Sequence, residues 1–422
     1  MSAESHFEQF VDHLIAKAIE SGAVLWSDLL AKLPGVTPDI AFAALRRRNL
    51  DARVNFQTPA QSRKNTTLPI AFRLWGEGRL PTPHLLDACW WFSDPALALL
   101  IGRIKQLDAN RVVLLGTPSL WHSLRDENCG IPSVTLVDGD AALRNCAIGQ
   151  ELVTCNLLQS KPPAGFAGDL VVADPPWYEQ EMQQFLVAAR ECCRVGGKLL
   201  LSVPPEGTRP GIQQEWQSLL QWANELGFDL ASYEQSALLY LSPPFEHNAF
   251  LSAGICPLPT EWRHGDLATF VRNRQGIKPP SPPLQRGVWI DYSIEGVRFR
   301  LRGLGNDHEP AIPNLIPLVD SEILPSVSKR HALRDNVDLW TSGNRVFRCD
   351  HRLVMMLILG AMEAQIDPTS VVKDKLHRIF CSAEQSRLAW LVSKLRQVIE
   401  VEKCENLAFR GPYEQHVDFS PN

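Results

Sequence analysis

The feature that most constrains the fold is a regular alternation of short apolar runs and helical segments that begins at Arg111. The apolar runs occupy residues 111–116, 133–138, 151–156, 169–174 and 197–205. Between the last two, the segment YEQEMQQFLVAARECC repeats its apolar residues at helical spacing. Parallel strands need crossover connections, and crossover helices cover both faces of the sheet. The pattern therefore predicts an α/β fold around a buried, mostly parallel sheet.

Two further apolar runs, SALLYLS (236–242) and NAFLSAGI (248–255), follow without a helical pattern between them. Consecutive strands joined by a short loop pair antiparallel. We expect these two runs to form a hairpin at one edge of the sheet.

Length and proline content predict several domains. The chain has 422 residues, and the segment NRQGIKPPSPPLQRG (273–287) holds four prolines, which disfavour both helix and sheet. The predicted division is a helical domain at 1–60 with a possible helix-turn-helix, a sheet-containing domain at 70–272, the linker at 273–287, and an α+β accessory domain at 288–422.

Composition limits the environment and the partners. The sequence has no run of about 18 apolar residues, so no membrane span is predicted, and the amino terminus lacks a signal-peptide pattern. The ten cysteines are scattered, which suits a reducing compartment. A cytoplasmic location is therefore expected. Residues 108–256 carry 8 Lys and Arg against 17 Asp and Glu, a net charge of −9. A nucleic acid would therefore be held mainly by the flanking regions, whereas the acidic middle suits a basic protein.

The stretch DPPWY at 174–178 is the strongest candidate site. Ligands of doubly wound sheets bind beyond the carboxyl ends of the strands, and Asp174 ends the fourth run. Pro175 and Pro176 hold a stiff turn whose carbonyls can accept hydrogen bonds, and Trp177 and Tyr178 offer faces for stacking a planar group. The alternative is that Asp-Pro-Pro simply ends a strand and that the aromatic residues belong to the core.

The four residues DPPW at 174–177 resemble the (D/N)PP(Y/F/W) motif of amino-methyltransferases. The strand pattern over 111–255 resembles the class I S-adenosylmethionine (SAM)-dependent methyltransferase fold, a Rossmann-like sheet with one antiparallel strand. The resemblance implies that Asp174 and the Pro175 carbonyl hold a target nitrogen, that Trp177 packs on the acceptor and that no metal is needed. The segments LLGTPSLW and DACWWFSDPALA are similar to a narrower group of N6-adenine methyltransferases that includes protein lysine methyltransferases.

The same resemblance predicts where SAM binds. The turn after the first strand contains Gly116, Thr117 and Pro118 in place of a glycine-rich run, with Ser119 as the expected helix cap. In this fold a carboxylate at the end of the second strand, here Asp138, can bind the ribose hydroxyls of the cofactor.

For the end of the third strand and for the tryptophan pair at 90–91, the sequence leaves two roles open. Asn156, at the end of the third strand, either reads the cofactor adenine or is a turn residue. Trp90 and Trp91 either line the opening of the site, with Trp91 contacting substrate, or belong to the core.

The flanks give weaker signals. Three helices are expected in the first fifty residues, with Thr37 capping the third. Arg298, Arg300 and Arg302 alternate on one face of a predicted hairpin, where they either track phosphates, meet the acidic domain, or simply face solvent. Cys349, His351, His377 and Cys381 are read as incidental residues and not as a zinc site.

Taken together, the sequence predicts a SAM-dependent N-methyltransferase that acts on an exocyclic amino group, first adenine N6 in DNA or RNA. A protein lysine methyltransferase is the alternative within the enzyme class. An inactive methyltransferase-like scaffold that binds a protein partner is the alternative from another class, because the first loop has a single glycine.

Overall fold

The structure is a computed structural model that describes residues 3–56, 68–126, 129–146, 152–165, 167–255, 258–277, 287–303, 311–377 and 380–414. The chain divides into two compact units. Unit 1 comprises Met1–Pro81, Ala88–Ser242 and Ile255–Leu284, and unit 2 comprises Thr82–Asp87, Pro243–Gly254 and Gln285–Asn422. The three amino-terminal helices are thus grouped with the large sheet, and residues 278–286 of the predicted linker lie outside the described residues.

Unit 1 is built on a seven-stranded sheet with the order β3-β2-β1-β4-β5-β7-β6. The first five strands pair in parallel, and β7 runs antiparallel to both of its neighbours. The predicted fold class is confirmed: this is a Rossmann-like, mostly parallel sheet with one antiparallel strand. Its strands are β1 (Arg111–Leu115), β2 (Ser133–Asp138), β3 (Leu152–Thr154), β4 (Gly168–Ala173), β5 (Cys193–Val203), β6 (Phe228–Leu241) and β7 (Glu261–Arg272).

Helices cover the sheet, as a parallel sheet requires. One example is the helix after β4, whose apolar face places Met182, Phe185, Leu186 and Ala189 in the core. The helices of unit 1 are α1 (Ala3–Glu20), α2 (Trp26–Ala31), α3 (Pro38–Arg47), α4 (Ile70–Gly76), α5 (Asp94–Gln106), α6 (Pro118–Asp126), α7 (Glu179–Cys192) and α8 (Ile212–Glu225).

The predicted closing hairpin is wrong in its second strand. The run NAFLSAGI belongs largely to helix α9 (Pro244–Ser252), and the true partner of β6 is β7. A short apolar run cannot be assigned to helix or strand from its hydrophobicity alone. In α9 the side chains of Phe245, Ala249 and Phe250 are all buried, so the run is apolar because it is enclosed.

The amino-terminal helices α1, α2 and α3 confirm the three predicted helices. Thr37 occupies the cap position of α3, but its side chain does not cap the helix and instead donates a hydrogen bond to Asp39. At the other end of α3, Arg47 pairs with Asp12 of α1 over 2.7 Å. One of the cations at the end of α3 therefore joins two helices.

Unit 2 contains a five-stranded antiparallel sheet with the order β10-β12-β11-β9-β8. Its strands are β8 (Trp289–Ile294), β9 (Val297–Arg302), β10 (Leu315–Pro317), β11 (Leu339–Thr341) and β12 (Val346–Cys349). Besides α9 it has α10 (Arg352–Glu363), α11 (Pro368–Leu376) and α12 (Ser382–Glu414). The described helices of both units include none that is long and apolar enough to cross a membrane.

The predicted hairpin at Arg298–Arg302 is confirmed by the pairing of β8 with β9, but its arginines do not form a solvated stripe. Arg298 is only 3% exposed and pairs with Asp87 and Asp291, and Arg300 pairs with the same two carboxylates. Two of the three charges are neutralised within unit 2, so this face is not a track for phosphates. Among the described residues no cluster of three or more His, Cys, Asp or Glu side chains could hold a metal ion.

Candidate functional site

Four of the predicted site residues lie at one edge of the unit 1 sheet, at the carboxyl ends of β1 to β4. Backbone hydrogen bonds continue past the strand ends and fix them there. The amide of Gly116 donates to the Val137 carbonyl over 3.0 Å, and the amide of Asp174 donates to the Leu115 carbonyl over 3.1 Å. On the other side, the amide of Cys155 donates to the Asp138 carbonyl over 2.8 Å. The strand order therefore brings Asn156, Asp138, Gly116 and Asp174 to the same edge.

The turn after β1 depends on Gly116. Its φ is +69°, and a Cβ there would lie 3.2 Å from the Phe185 ring and 3.5 Å from the Asp174 carbonyl oxygen. Glycine is needed both for the left-handed backbone and for the close approach of β1 to the end of β4. Gly116 is partly exposed, whereas Thr117 and Pro118 are buried.

The predicted cap of the next helix is wrong. Pro118 is the first residue of α6, so Ser119 lies inside the helix, where it is 2% exposed. Thr117 precedes the helix, and its carbonyl accepts the amide hydrogen of Trp121. The hydroxyl of Thr117 is enclosed and has no hydrogen-bond partner among the described residues.

Asp138 and Asn156 differ in how their side chains are used. A carboxylate oxygen of Asp138 accepts the amide hydrogen of Asp140 over 2.8 Å, and the side chain is partly exposed. The side-chain oxygen of Asn156 accepts the Leu158 amide hydrogen over 3.1 Å, and its amide donates to Gln159. The observed contacts of Asn156 are those of a turn residue, which is one of its two predicted roles.

The turn of residues 174–177 presents two acceptors at the tip of β4. The Pro176 carbonyl accepts the Tyr178 amide hydrogen over 2.7 Å, so it is used within the turn. No described residue donates to the Pro175 carbonyl. Besides the Asp174 carboxylate, which accepts from Tyr240, the Pro175 carbonyl is thus the remaining acceptor of the turn; Asp174 is partly exposed and Pro175 is buried.

The carboxyl group of Asp174 is enclosed by protein, although the residue as a whole keeps some exposure. Burial raises its pKa to about 7, against the opposing effect of the Tyr240 and Ser202 hydroxyls. The Tyr240 hydroxyl donates to Asp174 Oδ1 over 2.8 Å, and burial raises the pKa of Tyr240 well above its usual value. The carboxyl group consequently changes charge near neutral pH.

The aromatic residues are placed differently from one another. Trp177 is partly exposed; its indole nitrogen donates to Ser202 over 3.1 Å, and its ring meets Tyr240 edge-on at 5.5 Å. Tyr178 is partly exposed, with the Arg209 guanidinium 5.3 Å from its ring centre. A hydrogen bond therefore fixes the position of Trp177, whose side chain keeps a partly exposed surface.

Trp91 is not at the opening of the site. It is 4% exposed and packs against Phe72 and Trp75, with ring centres 6.2 and 6.1 Å apart. Core packing accounts for this ring, which is the second of its two predicted roles. Its neighbour Trp90 keeps partial exposure and lies 4.9 Å from the Arg263 guanidinium.

Three residues of the site were missed from the sequence: Ser202 on β5, Tyr240 on β6 and Gly265 on β7. A Cβ on Gly265 would lie 2.8 Å from the Trp177 ring, so this glycine leaves room for the indole. A signal for the first two exists, because each lies at the end of an apolar run that is followed by two prolines, as Asp174 does. The chain thus places a polar residue within three positions of a proline pair at the ends of β4, β5 and β6.

Comparisons with known proteins identify the fold of this chain but not its family. No protein-family model and no curated protein matches the sequence. Two structures of a branched-chain polyamine synthase from Thermus thermophilus, each 12% identical, align with TM-scores of 0.52 and 0.50 over 67% and 66% of this chain and 94% and 91% of theirs.

Similarity to solved methyltransferases is weaker. A TehB-like SAM-dependent methyltransferase from Corynebacterium glutamicum is 15% identical with a TM-score of 0.29, over 42% of this chain and 88% of that one. The N-methyltransferase NodS from Bradyrhizobium japonicum is 11% identical with a TM-score of 0.29, over 43% of this chain and 98% of that one. At such identities the comparisons support one conclusion, that the chain has the Rossmann-like α/β fold.

Proposed function

We propose that the protein is a SAM-dependent N-methyltransferase that acts on an exocyclic amino group, with adenine N6 in DNA or RNA as the first candidate acceptor. The observation that carries the proposal is the pair of acceptors at the tip of β4, the Asp174 carboxylate and the Pro175 carbonyl, beside the Trp177 indole. An amino group on a planar ring has two hydrogens to donate and a flat face to stack, so it matches this set.

The arrangement supports methyl transfer through orientation. Two acceptors that hold both amine hydrogens direct the nitrogen lone pair away from them, toward a donor methyl. Fixed orientation of two reactants can supply a large part of a rate enhancement, and an enclosed site lowers the competition from water. Because a carboxylate accepts more strongly than a carboxylic acid, the ionised form of Asp174 is the active one.

The cofactor would bind along the edge formed by β1 and β2. Gly116 supplies the close backbone approach at β1, and Asp138 supplies a carboxylate for the ribose hydroxyls at the end of β2. SAM supplies an electrophilic methyl group on its sulfonium when it is bound. Thr117, Pro118 and Asn156 are proposed to border this region, Asn156 as a turn residue that either shapes the pocket or reads the adenine.

A protein lysine is the second candidate acceptor. The acidic charge of residues 108–256 favours it, because a net charge of −9 attracts a basic protein and repels phosphates. Lysine offers no planar ring for Trp177 to stack, and its amine is protonated at neutral pH, so the site would first have to remove a proton. The contacts of the 174–177 turn therefore favour a nucleobase, and the overall charge favours a protein.

The test begins with binding. Calorimetry should show SAM binding to the wild-type protein; no binding would support the alternative of an inactive scaffold that binds a protein partner. Tritiated methyl transfer to fractionated cell extract, with the label followed into DNA, RNA and protein, then identifies the acceptor. Asp174→Ala should abolish transfer and keep SAM binding, and Asp140→Asn serves as the control.

One further arm separates methyl transfer from a related reaction. The solved polyamine synthase to which the fold is similar was crystallised with N4-aminopropylspermidine and 5′-methylthioadenosine. Incubation with an aminopropyl sulfonium donor and spermidine, followed by mass spectrometry, should give no aminopropylated product. A product in that arm would overturn the methyl-transfer proposal.

A further inference from the structure

We infer that Trp177, Ser202 and Tyr240 form a one-directional chain of hydrogen bonds that ends on Asp174 and positions its carboxylate. The inference rests on the proposed function and deepens it, since it assigns positioning roles to two residues from β5 and β6 that lie outside the 174–177 turn. The chain joins strands that are distant in sequence.

The chain is continuous in distance. The Trp177 indole nitrogen lies 3.1 Å from Ser202 Oγ, Ser202 Oγ lies 2.6 Å from the Tyr240 hydroxyl oxygen, and that oxygen lies 2.8 Å from Asp174 Oδ1. Ser202 and Tyr240 are each 2% exposed, so water does not compete for these bonds. Hydrogen bonds in such an enclosed setting are stronger and reinforce one another.

The direction of the chain follows from counting hydrogens. An indole N–H can only donate, so Ser202 must accept from Trp177. The single hydrogen of Tyr240 is given to Asp174, so the hydrogen between Ser202 and Tyr240 comes from Ser202. Every donor therefore points toward Asp174, and an ionised carboxylate is the acceptor that completes this order.

The charged and titratable surroundings are consistent with this role. Protonation of Asp174 is opposed by the Tyr240 hydroxyl of β6, which donates to it, and by the Ser202 hydroxyl of β5, which lies behind Tyr240. Burial raises the pKa of Tyr240, and the charge of Arg263 on β7 opposes this effect without outweighing it. Within the described residues, burial and these hydroxyls account for the shifted pKa of the carboxyl group.

The chain also couples two parts of the proposed site. Trp177, which would stack on the acceptor, is held by the same serine that orients Tyr240. A displaced indole would therefore alter the strength with which Asp174 accepts a hydrogen bond. Tyr240 and Ser202 act through Asp174 and Trp177 and are positioning residues.

The test measures the titration of Asp174 directly. In protein labelled with 13C at the Asp side-chain carboxyl carbon, the Asp174 resonance is identified by its loss in Asp174→Asn and followed against pH. Tyr240→Phe removes one hydroxyl with little change of shape and should raise the titration midpoint by about one pH unit. Trp177→Phe should raise it by less, and this effect should vanish when Tyr240→Phe is already present, because the chain is then already broken.

The matched control is Tyr233→Phe, on the same strand. The Tyr233 hydroxyl donates to Asp266 and Ser236 donates its amide hydrogen to the same carboxylate, outside the proposed chain. This variant should shift the titration of Asp266 and leave that of Asp174 in place. Thermal unfolding and circular dichroism confirm that each variant is folded.

Two results would overturn the inference: an unchanged Asp174 midpoint in folded Tyr240→Phe, or equal effects of Trp177→Phe with and without Tyr240. The titration needs no methyl transfer, so the two proposals fail separately. Absence of transfer in the wild type refutes the proposed function and leaves the chain testable. When transfer is observed, Tyr240→Phe should lower kcat more than it raises KM and move the pH profile upward.

Discussion

The hydroxyl of Tyr240 donates a hydrogen bond to Asp174 Oδ1 over 2.8 Å and so ties the edge strand β6 to the tip of β4. Tyr240 is 66 residues further along the chain, on the strand that closes the sheet beside β7. Protonation of the Asp174 carboxyl group therefore depends on residues from β4, β5 and β6. Its consequences can be measured on the intact protein.

The first prediction concerns stability against pH. The pKa of Asp174 is about 7 in the folded protein and near 3.8 in the unfolded chain, so the folded state binds more protons between these values. The contribution of this group to stability is therefore greatest below pH 4 and declines as pH rises toward 7. Asp174→Asn should be more stable than the wild type at pH 8, by at most about 4 kcal/mol, with the difference shrinking toward pH 4.

A second carboxylate serves as the control for that prediction. The pKa of Asp126 is lowered by its hydrogen bond from Arg79, so its contribution is present at neutral pH and is lost as pH falls through its lowered pKa. Asp126→Asn should therefore destabilise the protein at neutral pH. Denaturant unfolding at several pH values measures both variants, and the same sign for both at pH 8 would contradict the assignment.

The second prediction concerns the space beside Trp177. A Cβ on Gly265 would lie 2.8 Å from the Trp177 ring and 3.0 Å from the Tyr240 ring. Both rings are rigid, so Gly265→Ala should displace the indole, cost about 1 to 3 kcal/mol of stability and reduce the proposed methyl transfer. Gly102→Ala is the control, because this helical glycine has open space around it and should gain up to about 1 kcal/mol. Full activity of Gly265→Ala would show that the indole position is unimportant.

The third prediction concerns the proposed cofactor pocket. Asp138→Asn keeps an oxygen that can accept the Asp140 amide hydrogen, so the turn should persist while the charge is lost. SAM affinity measured by calorimetry should fall about tenfold, which corresponds to roughly 1.4 kcal/mol. Asp140→Asn changes an acid two residues away and should leave the affinity unchanged. Equal affinities of the two variants would remove Asp138 from the cofactor site.

Much of the sheet could be predicted because strands that are buried on both faces are continuous apolar runs. β1, β2 and β4 lie within a residue or two of the predicted segments. β7 was missed because it begins with the polar sequence EWRHGD, whose buried Asp266 is satisfied by tertiary contacts that a local pattern does not reveal. The apolar run at 248–255 was assigned to a strand because enclosed helices and strands have the same composition.

The site was predictable only in part, for a related reason. Asp174 and Gly116 could be placed because strand ends are local features, and the topology of a parallel sheet brings them to one edge. Ser202 and Tyr240 could not, because their role depends on which strands become neighbours. The sequence left both roles open for Trp90 and Trp91, because two adjacent tryptophans have no local feature that says which one is buried.

The last prediction concerns unit 2. Arg298 is 3% exposed, pairs with Asp87 over 2.7 Å and also with Asp291, and donates to the Thr82 carbonyl over 3.0 Å. Removal of one partner from an enclosed ionic cluster leaves the other charges without compensation, so Arg298→Met should cost roughly 3 kcal/mol. The exposed Arg348 on β12 offers a control, because Arg348→Met should change stability by less than about 0.5 kcal/mol.

The measurement is urea unfolding of both arginine variants, followed by tryptophan fluorescence. An Arg298→Met midpoint equal to that of the wild type would mean that Arg300, which also pairs with Asp87 and Asp291, is enough to neutralise both carboxylates. The double variant Arg298→Met/Arg300→Met then shows whether either arginine alone can neutralise the two carboxylates. A loss much greater than the sum of the single losses indicates that the two cations substitute for each other, and an additive loss indicates independent ion pairs.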